Sequence, residues 1–127
     1  MKYFICALDD LQLGIPADST ERIIPADALP SALTEIINRE TYISLTALFK
    51  KYEIKSPHGI IIKDTEIDIP RTILLTPKIE FEIEIDEKEI KPLPEALAGI
   101  YLFFRGICFL GEKLILILEP VKLAGLL

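Results

Sequence analysis

The hydrophobic positions of this chain fall in short runs and in alternation, with little helical spacing. The clearest segment is KIEFEIEID, Lys78–Asp86, where Ile79, Phe81, Ile83 and Ile85 alternate with Glu80, Glu82, Glu84 and Asp86. A period of two predicts a strand with one core face and one wet face. Upstream, Lys2–Leu8 is a β-rich run, Asp9-Asp10 a turn, and Leu11–Ile15 a second strand stopped by Pro16. Ser19–Ile24 predicts a third strand, closed by Pro25. Ala26–Leu33 predicts a loop holding at most one helical turn, and Glu35–Asn38 and Thr41–Leu45 predict paired short strands around Arg39-Glu40. Thr46–Tyr52 predicts a short helix with Thr46 as its N-cap. After the punctuation Pro57-His58-Gly59, a strand is expected over Gly59–Lys63, then two more, Glu66–Ile69 and Thr72–Leu75, around Pro70-Arg71. Glu95–Ala98 predicts a helical turn after Pro92-Leu93-Pro94, and Lys122–Leu127 is a terminal tail. Many short strands at close spacing mean a barrel or sandwich.

The longest apolar stretch, GIYLFFRGICFLGEKLILILEP from Gly99, has the length of a membrane span. Its interruptions argue against one. Glu112 and Lys113 lie well inside it, and each charge near a bilayer centre costs roughly 2.5–3.5 kcal/mol. Ile100, Tyr101, Phe103, Phe104, Ile107, Phe109, Ile115 and Ile117 favour strands. The stretch predicts two buried strands joined by a short connection at Gly111-Glu112.

Composition narrows the function. At 127 residues, half of them hydrophobic, the chain is expected to form a single domain, 1–127, with a real core. A net charge of −6 and a pI near 4.8 argue against nucleic-acid partners and against docking to anionic lipid. The apolar run Tyr3–Leu8 is too short for a signal peptide and ends in Asp9-Asp10. Cys6 and Cys108 sit in strand-like runs and predict buried free thiols rather than a disulfide framework.

Catalytic chemistry is not advertised. The one histidine, His58, sits in a turn-like SPHGI and is expected to face solvent without a nucleophile beside it. No phosphate-cradling or nucleophile-elbow motif occurs. The acids Glu80 to Asp86 are spaced about 7 Å apart along one strand face, too far to share an ion without other ligands. They predict a solvated face that also guards the strand against edge pairing. No cofactor, metal site or catalytic residue is expected.

Taken in order, four segments resemble the CheW-like family of chemotaxis coupling proteins. They are YFICALDDLQLGIPADSTERIIP, INRETYISLTALFKKY, IEIDEKEIKPLPE and FFRGICFLGEKLILILEPVKL. They are similar to the family's opening strands, its Asn-Leu-Arg-Gly-type turn with the strand that follows, its Pro-rich connector, and its closing Gly-turn hairpin. Arg39 matches the Arg of that turn, while Glu35 and Glu40 stand where the family has Gly, Ser44 where it has Pro, and Ala47 and Glu119 where it has Asp. The lost glycines imply a backbone that turns differently there.

The resemblance implies a mainly β fold of two small five-stranded, SH3-like barrel lobes around a shared hydrophobic core, with one or two short helices. It implies a non-enzymatic adaptor joining a CheA-type histidine kinase regulatory domain to the cytoplasmic tips of chemoreceptors. Such a protein is cytoplasmic and reaches the inner membrane face only through receptor arrays. Arg39, Ile15 and Ile23 are the partner-binding residues it suggests; Ile43 and Leu45 are expected in the core. Two other readings stay open. One is a divergent module of the same fold that binds one partner only, or itself. The other is a β-barrel that binds a small molecule, which needs a polar pocket that the sequence does not display.

Overall fold

The computed structural model describes residues 1–8, 11–36, 40–44, 57–62, 71–95 and 104–119. The chain divides into two compact units, Met1–Asp18 with Glu80–Leu127, and Ser19–Ile79.

The first unit is built on a five-stranded sheet. Its strands are β1 (Lys2–Leu8), β2 (Leu11–Pro16), β7 (Ile79–Glu84), β8 (Phe104–Leu110) and β9 (Lys113–Leu118), in the order β7-β1-β2-β9-β8. β1 and β2 form the antiparallel hairpin that Asp9-Asp10 predicts, with Phe4 opposite Ile15. Pro16 ends its strand from inside, as the partner of Tyr3. β2 then pairs in parallel with β9, Leu13 opposite Leu116. β8 and β9 form the predicted hairpin, with the turn at Gly111-Glu112. Gly111 has φ +64°, a conformation that costs a side-chain-bearing residue energy. The apolar stretch is therefore two paired strands, and no helix among the described residues is long and apolar enough to cross a membrane.

The core of this unit joins Tyr3, Ile5, Ile85, Cys108, Ile115 and Ile117, with Ile83 and Ile90 packed against it. Cys6 and Cys108 are free and buried. The alternation in Lys78–Asp86 fails at one position, Phe81, since Ile79 is half-buried between exposed Lys78 and Glu80. Ile85 is buried and Ile83 half-buried, but Phe81 is 38% exposed. The physical reason is position: β7 lies at the sheet's edge, where a strand can project beyond its cover.

The second unit holds a four-stranded sheet among the described residues, β3-β5-β6-β4. These strands are β3 (Thr20–Ile24), β4 (Glu40–Ser44), β5 (His58–Ile62) and β6 (Arg71–Thr76). Helix α1 spans Leu29–Ile36 and packs Leu29 against Ile24, Ile61 and Ile73. Its start is tied down by the Pro25 carbonyl, which accepts from the amides of Ala28 and Leu29 at 3.0 Å each.

Three sequence expectations change here. Residues 26–28 form a turn, but helix α1 takes the rest of Ala26–Leu33 and continues through Glu35 and Ile36, where a strand is expected; Ile37 and Asn38 lie outside the described residues. Leu29, Ala32, Leu33 and Ile36 follow helical spacing, and Pro30 is tolerated in a first turn. β4 consequently has no hairpin partner before it and pairs in parallel with β6, Ile43 opposite Leu74. His58 opens β5 opposite Thr76 and is half-buried, not a solvent-facing turn residue. The expected helix Thr46–Tyr52, strand Glu66–Ile69 and tail Lys122–Leu127, and Leu45 and Ala47, lie outside the described residues, as does Glu95–Ala98 beyond Glu95.

Candidate protein-binding surface

Among the described residues two sheets have four edge strands, and edges are where a β protein meets partners. In the first unit the two edges differ. β8 is laced by the chain that leaves β7. That chain makes a 3-10 turn at Glu87–Glu89, whose N-cap Asp86 accepts from the Lys88 amide at 3.0 Å. It then forms an isolated bridge in which Lys91 and Ile107 exchange two backbone hydrogen bonds of 2.8 Å. Gly106 makes that approach possible, because the Lys91 carbonyl occupies the space of a Cβ. No comparable cover lies along β7 among the described residues, and Glu80, Phe81 and Glu82 are all exposed. Phe109 and Leu110, at the tip of the β8–β9 hairpin, are 60% and 38% exposed.

A polar cluster forms where the 3-10 turn crosses β8. The guanidinium of Arg105 donates to both carboxylate oxygens of Glu87, one bond measuring 3.0 Å. That hydrogen-bonded partner holds the Arg105 pKa up. Beneath lies Tyr3, 0% exposed, whose hydroxyl makes no hydrogen bond of normal geometry. Burial is the main cause that raises its pKa, Glu87 adds to it through charge and a weak contact, and Arg105 opposes it. In the sequence Arg105 is a lone charge inside an apolar stretch; its partner is 18 positions away and is supplied by tertiary structure.

The residues suggested by the resemblance are placed one by one. Ile15 belongs to β2, the middle strand of the first sheet, and is 0% exposed. Ile23 belongs to β3, an edge strand of the second sheet, opposite Ile60, and is half-buried between exposed Arg22 and buried Ile24. Arg39 lies outside the described residues, immediately before Glu40, which pairs with Arg71. Ile15 and Ile23 fall in different units.

Among the described residues no group of three or more His, Cys, Asp or Glu side chains is placed to hold a metal. Burial pushes the Cys6 thiol up to about 12 and also raises that of Cys108, so both are thiols near neutral pH, not nucleophilic thiolates. Among the described residues, the buried polar atoms without a partner include His58 Nδ1 and Thr76 Oγ1, on residues that pair in register across β5 and β6, and Gln12 Oε1 in β2.

No protein-family model matches the sequence, and no curated protein matches it. Among solved structures, the chain is similar to the scaffolding protein TtCheW from Thermoanaerobacter tengcongensis. The two are 18% identical, the match covers 92% of this chain and 82% of that one, and the TM-score is 0.66. At that identity the similarity is one of fold: the chain has the mainly β CheW fold.

Proposed function

We propose that this chain is a divergent CheW-like adaptor, a single functional module over residues 1–127 that works by protein–protein binding and not by catalysis. The observation that carries this reading is the match in fold, along nearly the whole chain, to a scaffolding protein. The surface chemistry supports it: the buried thiols stay protonated, and Phe81, Phe109 and Leu110 are exposed apolar residues. Its partners on this reading are the regulatory domain of a CheA-type histidine kinase and the cytoplasmic tip of a chemoreceptor. The protein then acts in the cytoplasm and meets the inner membrane face through its receptors. Arg39 and Ile23 are proposed as contact residues; Ile15, fully buried, is proposed to act only through the packing of its own sheet.

One observation favours a narrower version. Glu35 lies inside helix α1 and Glu40 opens β4, both ordinary conformations for a residue with a side chain. Neither position needs glycine here, and a partner that reads a glycine-dependent turn would lose its contact. The narrower reading is a module that binds one partner, or itself.

Isothermal titration of the purified chain with a kinase regulatory domain and with a receptor-tip fragment separates these. Reversible binding to both, in the micromolar class expected of modest interfaces, supports the adaptor. Kinase binding without receptor binding supports the narrower module. Binding to neither ends the coupling proposal and leaves the fold intact.

A further inference from the structure

We propose that the open edge of β7, from Glu80 to Glu84, takes a basic extended peptide segment as an added strand. β7 ends its sheet, with β1 as its hydrogen-bonded neighbour. Among the described residues no strand pairs with its other side, so a row of backbone N–H and C=O groups is offered there. The opposite edge, β8, is closed by the Lys91–Ile107 bridge. At Glu80, Phe81 and Glu82 the strand is exposed on both of its faces, so the side chains of an added strand can meet it on either side. Phe81 supplies an apolar contact on one face, and Glu80 and Glu82 supply charge on the other. Glu84 is already engaged, by the Met1 amino group at 2.9 Å.

The charges select the occupant. No basic residue occurs from Ile79 to Glu84, so a second copy of β7 would set carboxylate against carboxylate and is disfavoured. A segment alternating Lys or Arg with apolar residues meets the opposite pattern. Its cations face Glu80 and Glu82, and its apolar side chains cover Phe81. This surface is separate from the contact residues Arg39 and Ile23, and the test below uses neither kinase nor receptor. Its failure would therefore leave the adaptor reading standing.

The probe is a capped seven-residue peptide alternating lysine and valine, titrated into the isotope-labelled full chain and followed by amide chemical shifts. The expected result is saturable shifts centred on Glu80–Glu84. Methylating alternate peptide nitrogens keeps charge and removes ladder donors, and should weaken binding by about tenfold or more. The double variant Glu80→Lys, Glu82→Lys, changed only at exposed positions, should lose the lysine peptide and gain a glutamate–valine peptide of the same length. Equal binding of the methylated peptide would reduce the contact to charge adsorption and overturn strand addition. Shifts centred elsewhere, or no shifts, would overturn the proposal as well.

Discussion

A Cβ on Gly106 would collide with the carbonyl oxygen of Lys91. The two backbones are held together by the paired hydrogen bonds between Lys91 and Ile107, and Ile90 Cγ2 crowds the same spot at 2.9 Å. The obstacle is backbone, so it cannot swing aside as a side-chain tip would. Gly106→Ala should therefore break the bridge and cost about 1–3 kcal/mol, the range for overpacking. Urea unfolding measures the loss, and faster exchange of the Ile107 amide at unchanged β1–β2 protection would localise it.

Arg105 and Glu87 make a two-pronged ion pair, but their side chains are 39% and 44% exposed. Solvent screening then limits its worth to about 0.2–1 kcal/mol in spite of the favourable geometry. A double-mutant cycle with Arg105→Gln and Glu87→Gln should return a coupling energy in that range. In 1 M salt the coupling should shrink toward zero. A value above roughly 2 kcal/mol would mean that the pair is shielded from water.

Stability should fall in alkali, and Cys6 sets the sign. Its thiol ionises near 9 when unfolded and at about 12 in the fold. Below 9 both states hold the proton, and the contribution is fully present. Between 9 and about 12 the unfolded chain releases a proton that the folded chain keeps, so unfolding becomes easier by up to about 1.4 kcal/mol per pH unit. Cys108 and Tyr3, whose pKa values are also raised, steepen the loss. Denaturation curves from pH 8 to 11 should show this slope, and Cys6→Ala should flatten it while costing some packing. An unchanged slope in that variant would remove Cys6 as its source.

His58 and Thr76 pair in register across β5 and β6, each with a buried polar atom that has no partner. Thr76 is 0% exposed, so its hydroxyl has lost water without gaining a bond. Valine has the same shape and favours strands. Thr76→Val should be neutral or stabilise by about 1 kcal/mol, against the usual direction of core substitutions. A thermal midpoint lowered by several degrees would reveal a hydroxyl partner, such as a bound water.

The particular elements explain what could be read beforehand. β1, β2, β8 and β9 are dense in β-branched and aromatic residues and pair with neighbours only two residues away in sequence, so their hairpins are local and legible. Helix α1 was hidden by Pro30 and by the Ile36-Ile37 pair, both of which read as non-helical until the 29, 32, 33, 36 spacing is set against them. The parallel pairs β2–β9 and β4–β6 join distant segments, and no local signal states them. Phe81 has the pattern of a core residue but stands on an edge, and strand order is not written in a strand's own sequence. The Glu87–Arg105 pair depends on the Lys91–Ile107 bridge in the same way. Arg39, Ile15 and Ile23 came from the resemblance, not from any property of the pattern itself.

The proposed contact residues can be separated by what each should change. Arg39→Glu reverses one charge and should weaken capture of the kinase or receptor fragment by about tenfold or more if Arg39 faces a carboxylate in the complex, since each 1.4 kcal/mol is tenfold. Its midpoint of unfolding should barely move. Ile23 is half-buried on an edge strand, so Ile23→Thr keeps the strand preference and removes apolar surface. It should weaken capture and also cost a little stability. Ile15 is 0% exposed, and Ile15→Val should cost about 0.5–1.5 kcal/mol of stability and reach capture only through that loss. Titration of each variant beside its unfolding curve checks the ordering. Capture that tracks stability alone across all three would remove Arg39 and Ile23 from the contact surface.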